Sequence, residues 1–318
     1  MAEDHVIEVQ GLVKRFGAVT AVDDVSFGVR RGEVFGILGP NGAGKTTTLE
    51  CIEGVQKPTV GSIRVLGWDM PREGGRVKER IGVQLQASAY FDYLTLREIL
   101  DLFGRFYSRR VAPEALLHRV GLVEKANTTI GKLSGGQKQR FAIAATLVND
   151  PELVFLDEPT TGLDPKARRD LWGFIRAMHG DGHTVVLTTH YMEEAQALCQ
   201  RVAIMDRGKI VALDAPDTLA RALPAPFEVA ASFEGALAPQ ALATLEGLEA
   251  VLGVRATENG AVALKSRDAA RTLPVLLRWA EDAGVRLKQL EVKPANLEDV
   301  FLALTGRGLG QEGDGADG

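Results

Sequence analysis

Apolar positions change period twice along this chain. Val6, Ile7 and Val9, then Val25, Phe27 and Val29 alternating before a turn at Gly32, predict strands through residues 6–34. Val34–Leu38 is a continuous apolar run, the pattern of a strand buried on both faces, and a glycine-rich stretch and a helix follow it. The period then lengthens. Thr95 and Glu98 form a capping box, and Leu96, Ile99, Leu100, Phe103, Phe106 and Tyr107 predict one buried helical face. Pro113 opens a second short helix. From residue 151 strands and helices alternate again: Leu153–Leu156, a helix near 165–178, Thr184–Thr189, a helix about 191–199, Arg201–Met205 and Ile210–Leu213. Asp206-Arg207-Gly208 turns between the last two. This alternation predicts an α/β domain, residues 1–222, with a parallel sheet covered by helices. Residues about 88–149 read as a helical insertion in it.

Leu223-Pro224-Ala225-Pro226 predicts a linker. Beyond it a smaller pattern runs from 227 to 305: strand Phe227–Phe233, helix 238–246, strand 249–256, a hairpin signal at Asn259-Gly260, strand Ala261–Leu264, helix 268–283 and strand Val285–Val292. That order is β-α-β-β-α-β, a ferredoxin-like α+β domain. An amphipathic helix over 296–304 follows, and the Gly- and Asp-rich residues 306–318 predict a disordered tail.

Composition narrows the class. The 318 residues are 45% hydrophobic and 25% charged, which fits a soluble globular chain of about two domains. No run approaches the roughly 18 apolar residues of a membrane span. The start Met-Ala-Glu-Asp-His has neither the basic nor the apolar region of a signal peptide. Two cysteines, Cys51 and Cys199, allow no disulfide framework, so a reducing compartment is expected; with Trp172 they read as helix core. The net charge of −5 lies entirely in residues 225–318, with 9 Lys/Arg against 14 Asp/Glu. Neither part predicts nucleic-acid binding through bulk charge.

Gly39-Pro40-Asn41-Gly42-Ala43-Gly44-Lys45-Thr46 is GxxxxGK[ST], a P-loop, placed after an apolar strand and before a helix. Its backbone N–H groups would cradle phosphates at the helix N-terminus. Lys45 would reach the β- and γ-phosphates and Thr46 would ligate Mg²⁺. The strand 153–156 ends in Asp157 and Glu158. Asp157 is placed on the Mg²⁺ shell, and Glu158 as the group that orients or deprotonates water. Leu133-Ser134-Gly135-Gly136-Gln137 forms a second anion cradle, with Ser134 capping a helix near 137–149. Two cradles for one triphosphate imply a nucleotide held between two surfaces, and the second could come from another copy of the chain.

With these motifs in this order, residues 6–215 resemble the ATP-binding subunit of an ABC transporter. The resemblance implies a Mg-ATP-dependent ATPase that forms a head-to-tail sandwich dimer and works with an integral membrane permease. It extends the nucleotide contacts to Thr47 and places Phe16 against adenine. Gln86, in Val83-Gln84-Leu85-Gln86, becomes the glutamine joining the Mg²⁺ site to the helical region, with Gln84 as the alternative. It assigns Asp164 to the loop crossing to the opposite subunit, where it also suits a helix N-cap, and His190 to the γ-phosphate. Tyr90, Phe91 and Tyr93 would meet a cytoplasmic helix of the permease, at the inner face of the membrane. The ending Asn296-Leu297-Glu298-Asp299-Val300-Phe301-Leu302 is similar to that of antibiotic- and drug-resistance exporter ATPases. Heptad arms and a second P-loop, which would mark DNA- or ribosome-acting relatives, do not occur, nor does the Asn-Lys-x-Asp motif of GTPases. An importer tail would be all-β, whereas two helices are predicted between 227 and 292.

Overall fold

The computed structural model describes residues 4–70, 72–84, 90–235, 237, 239–257 and 261–307. The chain divides into two compact units, Met1–Ala215 and Pro216–Gly318.

The first unit begins with β1 (His5–Phe16) and β2 (Val19–Arg30), an antiparallel hairpin. Then come β3 (Val34–Leu38), α1 (Lys45–Glu53), β4 (Val60–Val65), β5 (Trp68–Met70), α2 (Gly74–Lys78) and β6 (Ile81–Gln84). The helical block holds α3 (Leu96–Gly104), α4 (Pro113–Arg119) and α5 (Gly135–Thr146). The chain returns through β7 (Leu153–Asp157), α6 (Pro165–Gly180), β8 (Thr184–Thr189), α7 (Met192–Leu198), β9 (Arg201–Asp206) and β10 (Lys209–Asp214).

Two sheets result. One is antiparallel, in the order β2-β1-β4-β5; the other runs β10-β9-β3-β8-β7-β6, parallel except at its β10 edge. Every residue of β3, β7 and β8 is buried, as uninterrupted apolar runs in a covered parallel sheet require. One core lies between the sheets: Val9, Phe27 and Ile63 from the first meet Phe35, Phe155 and Met205 from the second, with Leu49 and Ile52 of α1 among them. Phe27 and Phe35 stack with ring centroids 5.3 Å apart. The helical block enters between β6 and β7, which are parallel neighbours.

Thr95 and Glu98 complete their predicted capping box, and Ser134 caps its helix as predicted, with Gln137 completing a second box. Asn296, read as the start of the last helix, is instead its N-cap and forms a box with Asp299. Three other expectations change. Phe106 is exposed, because α3 ends at Gly104 and only Leu96, Ile99 and Leu100 stay on its buried face. Trp172 is half-buried and donates from Nε1 to Glu194 Oε1 at 3.0 Å, so it is a polar clamp between α6 and α7 rather than core. Cys199 is buried but follows α7 as its cap.

The second unit begins earlier than the Pro-rich stretch at 223–226. Its first element, α8 (Pro216–Arg221), packs on the last helix. It continues with β11 (Phe227–Phe233), α9 (Pro239–Glu246), β12 (Val251–Ala256), β13 (Ala261–Ser266), α10 (Ala269–Asp282), β14 (Leu287–Pro294) and α11 (Leu297–Thr305). The sheet order β12-β13-β11-β14, antiparallel throughout, is the ferredoxin-like arrangement. Val229, Ala231, Leu264 and Leu276 centre its own core. The hairpin signal Asn259-Gly260 and the tail from residue 308 lie outside the described residues. No helix among the described residues is long and apolar enough to cross a membrane.

Candidate functional site

The site is assembled at the carboxyl ends of β3, β7 and β8, where an open parallel sheet presents ligand-binding loops. The loop after β3 turns through Gly42 (φ 75°) and Gly44 (φ 97°). Gly44 caps α1, and a Cβ there would strike the Ala21 carbonyl of β2, so the backbone position demands glycine twice over. Lys45 is 4% exposed and donates from Nζ to the carbonyls of Gly39 (2.9 Å) and Pro40 (3.1 Å). The same ammonium lies 3.2 Å from Glu158 Oε1.

Asp157 ends β7, and the parallel register pairs it with Thr188 of β8. Its Oδ1 accepts from Thr188 Oγ1 at 2.5 Å and from Thr46 Oγ1 at 3.2 Å. Burial pushes the Asp157 carboxyl up, and the neighbouring Glu158 adds to that; the two hydroxyls and Lys45 oppose it. A buried carboxylate beside a hydroxyl is a hard-oxygen donor pair of the kind Mg²⁺ takes.

Glu158 sits in a left-handed backbone conformation, φ 46°, which costs a non-glycine residue on the order of 1–3 kcal/mol. Its N–H donates to Thr188 Oγ1 at 2.9 Å, which holds the turn. Its carboxylate accepts from Thr161 Oγ1 at 3.0 Å, and His190 Nδ1 lies 3.2 Å from Oε2 without the angle of a hydrogen bond. Burial works to raise the Glu158 carboxyl, but Lys45, Thr161 and His190 together hold it below the ordinary range. Glu158 is therefore ionised at neutral pH and touches both the P-loop lysine and His190, the residue that follows β8.

The structure thus brings Gly39–Thr46, Asp157, Glu158 and His190 together. Phe16 ends β1 opposite Val19, in the hairpin that lies against Gly44 through Ala21. Its ring is 47% exposed, and Lys14 Nζ sits 4.7 Å from its centroid. Gln86 lies outside the described residues.

The second cradle is elsewhere. Ser134, Gly135, Gly136 and Gln137 line a pocket of about 420 Å³ with Gly162, Leu163 and Asp164. No P-loop residue lines it. Asp164 caps α6 by accepting from the N–H groups of Lys166 and Ala167, both at 2.9 Å. A Cβ on Gly135 or Gly162 would meet nothing within 4 Å, so this pocket is open in front of two glycines.

Sequence reasoning did not single out Thr188. It bonds both acids of the site, and its only signal is the register of two parallel strands. Gln139, which donates to the Pro159 carbonyl and so ties the signature helix to the loop after Asp157, was equally unmarked.

A lysine closed in a glycine loop at a helix N-terminus, with two acids at the end of a parallel strand of the same sheet, one strand removed, defines a P-loop nucleotide-hydrolysing protein. The comparisons specify which. Residues 22–161 match the ABC transporter family, and residues 238–296 match the C-terminal domain family of ABC transporter domain-containing proteins. The chain is 38% identical to Nod factor export ATP-binding protein I of Ralstonia nicotianae, over 95% of this chain and 94% of that one. It is 37% identical to daunorubicin resistance ATP-binding protein DrrA3 of Streptomyces coeruleorubidus, over 95% and 96%. Among solved structures, an ATP-binding subunit of an ABC transporter aligns with TM-score 0.61 and 29% identity, covering 68% of this chain and 92% of that chain. A dimeric bacterial ABC transporter cassette aligns with TM-score 0.60 and 27% identity, covering 66% and 98%. The chain belongs to the ATP-binding subunits of ABC transporters. It binds and hydrolyses ATP, and such cassettes dimerise and work with membrane permeases.

Proposed function

We propose that this subunit drives export of an amphipathic compound, through a pair of chains that close on two ATP molecules at the inner face of the membrane. The observation that carries the sandwich is the separation of the cradles: the signature pocket is lined by none of the P-loop residues. One chain supplies Lys45, Thr46, Thr47, Asp157, Glu158 and His190; Ser134, Gly135 and Gly136 of the other complete the site. Thr46 and Asp157 would hold Mg²⁺, which would supply shielding of the phosphate charge. Glu158, ionised and fixed by the Thr188 bond to its backbone, aligns the water. His190 faces the γ-phosphate, Phe16 stacks on adenine, Gln86 links the metal site to the helical block, and Asp164 crosses to the partner cassette. Export follows from the relatives' named roles, in Nod factor export and daunorubicin resistance, which support that direction here.

Tyr90, Phe91 and Tyr93 form the permease contact. Tyr90 packs on Phe103 and Phe141, while Phe91 and Tyr93 are 54% and 95% exposed. The second unit tunes assembly, since every nucleotide motif lies in the first.

Complementation tests the sandwich. Lys45→Ala and Ser134→Arg chains, each inactive alone in the reconstituted transporter, should recover ATPase when mixed, because a mixed pair keeps one intact site. Mixed pairs that form but stay inactive would refute it.

A further inference from the structure

A second cavity in the first unit, about 510 Å³, opens between the sheet and the helical block. Val83, Phe103 and Tyr107 supply apolar and aromatic wall. Of the four buried polar side chains that also line it, Thr146 donates to the Ile143 carbonyl at 2.8 Å, and three remain: Glu53, the last residue of α1, Gln84, the last of β6, and Asn149 after α5. They are 2%, 4% and 2% exposed. Each carries an oxygen with no hydrogen-bond partner: Glu53 Oε1, Gln84 Oε1 and Asn149 Oδ1. The orientation of Asn149 is fixed, because its Nδ2 donates to the carbonyls of Glu79 (3.2 Å) and Ile81 (3.0 Å), leaving only an acceptor free.

Buried polar groups are nearly always paired, and an unpaired one costs about 1–3 kcal/mol. Three unpaired acceptors at one apolar cavity favour a donor-rich occupant, and guanidinium and ammonium heads, with five and three donors and no acceptor of their own, suit them best. Lys78 also lines the cavity but is exposed and forms no ion pair with Glu53. Burial, with Asp157 and Glu50 adding to it, pushes the Glu53 carboxyl up to about 8, and a docked cation is what would keep it ionised.

We infer that this cavity takes a basic side chain, arginine or lysine, from an amphipathic helix of the membrane subunit, whose apolar face packs on the aromatic wall while the cation is bound by Glu53, Gln84 and Asn149. The inference rests on the permease contact proposed above, and Tyr90 lines the same cavity. It adds the chemistry by which the contact selects its partner. Its position gives the occupant a short route to the chemistry. Gln84 pairs with Leu156, one residue before Asp157. An arginine seated here would pull on a strand end directly beside the metal-binding acid.

The test uses the assembled transporter. A photoreactive phenylalanine at Tyr93 crosslinks whatever lies over this surface, with Glu53 unaltered, and mass spectrometry reads the captured segment. We expect a membrane-subunit segment carrying Arg or Lys within one helical turn of the crosslink. Neutralising that residue and Glu53→Gln should each reduce permease-stimulated ATPase at least fivefold. Combined, they should reduce it little further, while the basal activity of the isolated subunit is unchanged. No crosslink to the membrane subunit would overturn the contact surface itself. A captured segment without a basic residue, or two variants whose effects multiply independently, would overturn the cation site and leave the contact surface standing.

Discussion

Lys45 pairs with Glu158, and that makes Glu158→Gln informative in two opposite directions. The ammonium and carboxylate are 3.2 Å apart, with side chains 4% and 8% exposed. On the proposed role of Lys45 at the β- and γ-phosphates, this contact competes with nucleotide. Glutamine preserves the volume and one hydrogen bond but not the charge. A charged hydrogen bond contributes about 1.5–3 kcal/mol and a neutral one about 0.5–1.5, so the substitution weakens the competing contact by roughly 1–1.5 kcal/mol. Nucleotide affinity should therefore rise about 5- to 12-fold. Hydrolysis should fall by about 10²–10⁴, the usual worth of a positioned base. The assay pairs calorimetric titration with a non-hydrolysable ATP analogue and steady-state phosphate release. A mutant that hydrolyses ATP near the wild-type rate would remove Glu158 from catalysis. One with unchanged or weaker affinity would show that the ion pair does not compete with nucleotide.

Glu53→Gln should change how stability depends on pH. The folded carboxyl titrates near 8 against about 4.3 unfolded, so the native chain holds a proton the unfolded chain releases; that stabilisation, complete below pH 4 and lost as pH rises through 8, should make the mutant gain on the wild type by on the order of 3 kcal/mol between pH 5 and 8, and parallel urea-unfolding curves across that range would contradict it. Gly82→Ala would drive a Cβ into the Thr146 carbonyl and against Pro151, forcing β6 away from α5; a loss of about 1–3 kcal/mol is expected by chemical denaturation, and an unmoved midpoint would mean the contact relaxes freely. Truncation after Ala215, at the boundary of the first compact unit, should leave ATP binding intact; a truncated chain that keeps its circular dichroism but binds no ATP would place nucleotide contacts in the second unit.

What the sequence made legible was local. The box at Thr95/Glu98 and the cap at Ser134 satisfy their own helix ends within four residues, so residue types suffice to place them. The apolar runs of β3, β7 and β8 are buried on both faces and read as such. β4 shows the opposite case. Only Ile63 and Val65 of its six residues are buried, a pattern too thin to mark a strand, so the strands read over residues 6–34 lack their β4 and β5 partners in the sheet β2-β1-β4-β5. Phe106 misled for a related reason: periodicity continued past the point where α3 stops.

The chemistry divides along the same line. Lys45, Asp157 and the glycines stand in contiguous motifs because a phosphate cradle is built from consecutive backbone N–H groups. The groups that position them come from across the sheet, and nothing in a single segment marks them. Thr188 is one threonine in a six-residue strand until the β7–β8 register sets it opposite Asp157. Glu53 reads as a solvent-facing acid on α1 until the helical block and β6 close over it. Both are polar residues whose meaning depends on strand order: Thr188 meets the acids across the sheet, and Glu53 lines the cavity inferred above to receive the membrane subunit. The path between them is short and material. It runs from Glu53 through the Gln84 end of β6 to the parallel neighbour β7 and its terminal Asp157. If a permease helix docks in this cavity as inferred above, its movement shifts the strand that runs beside Asp157, which is the physical requirement for coupling transport to hydrolysis.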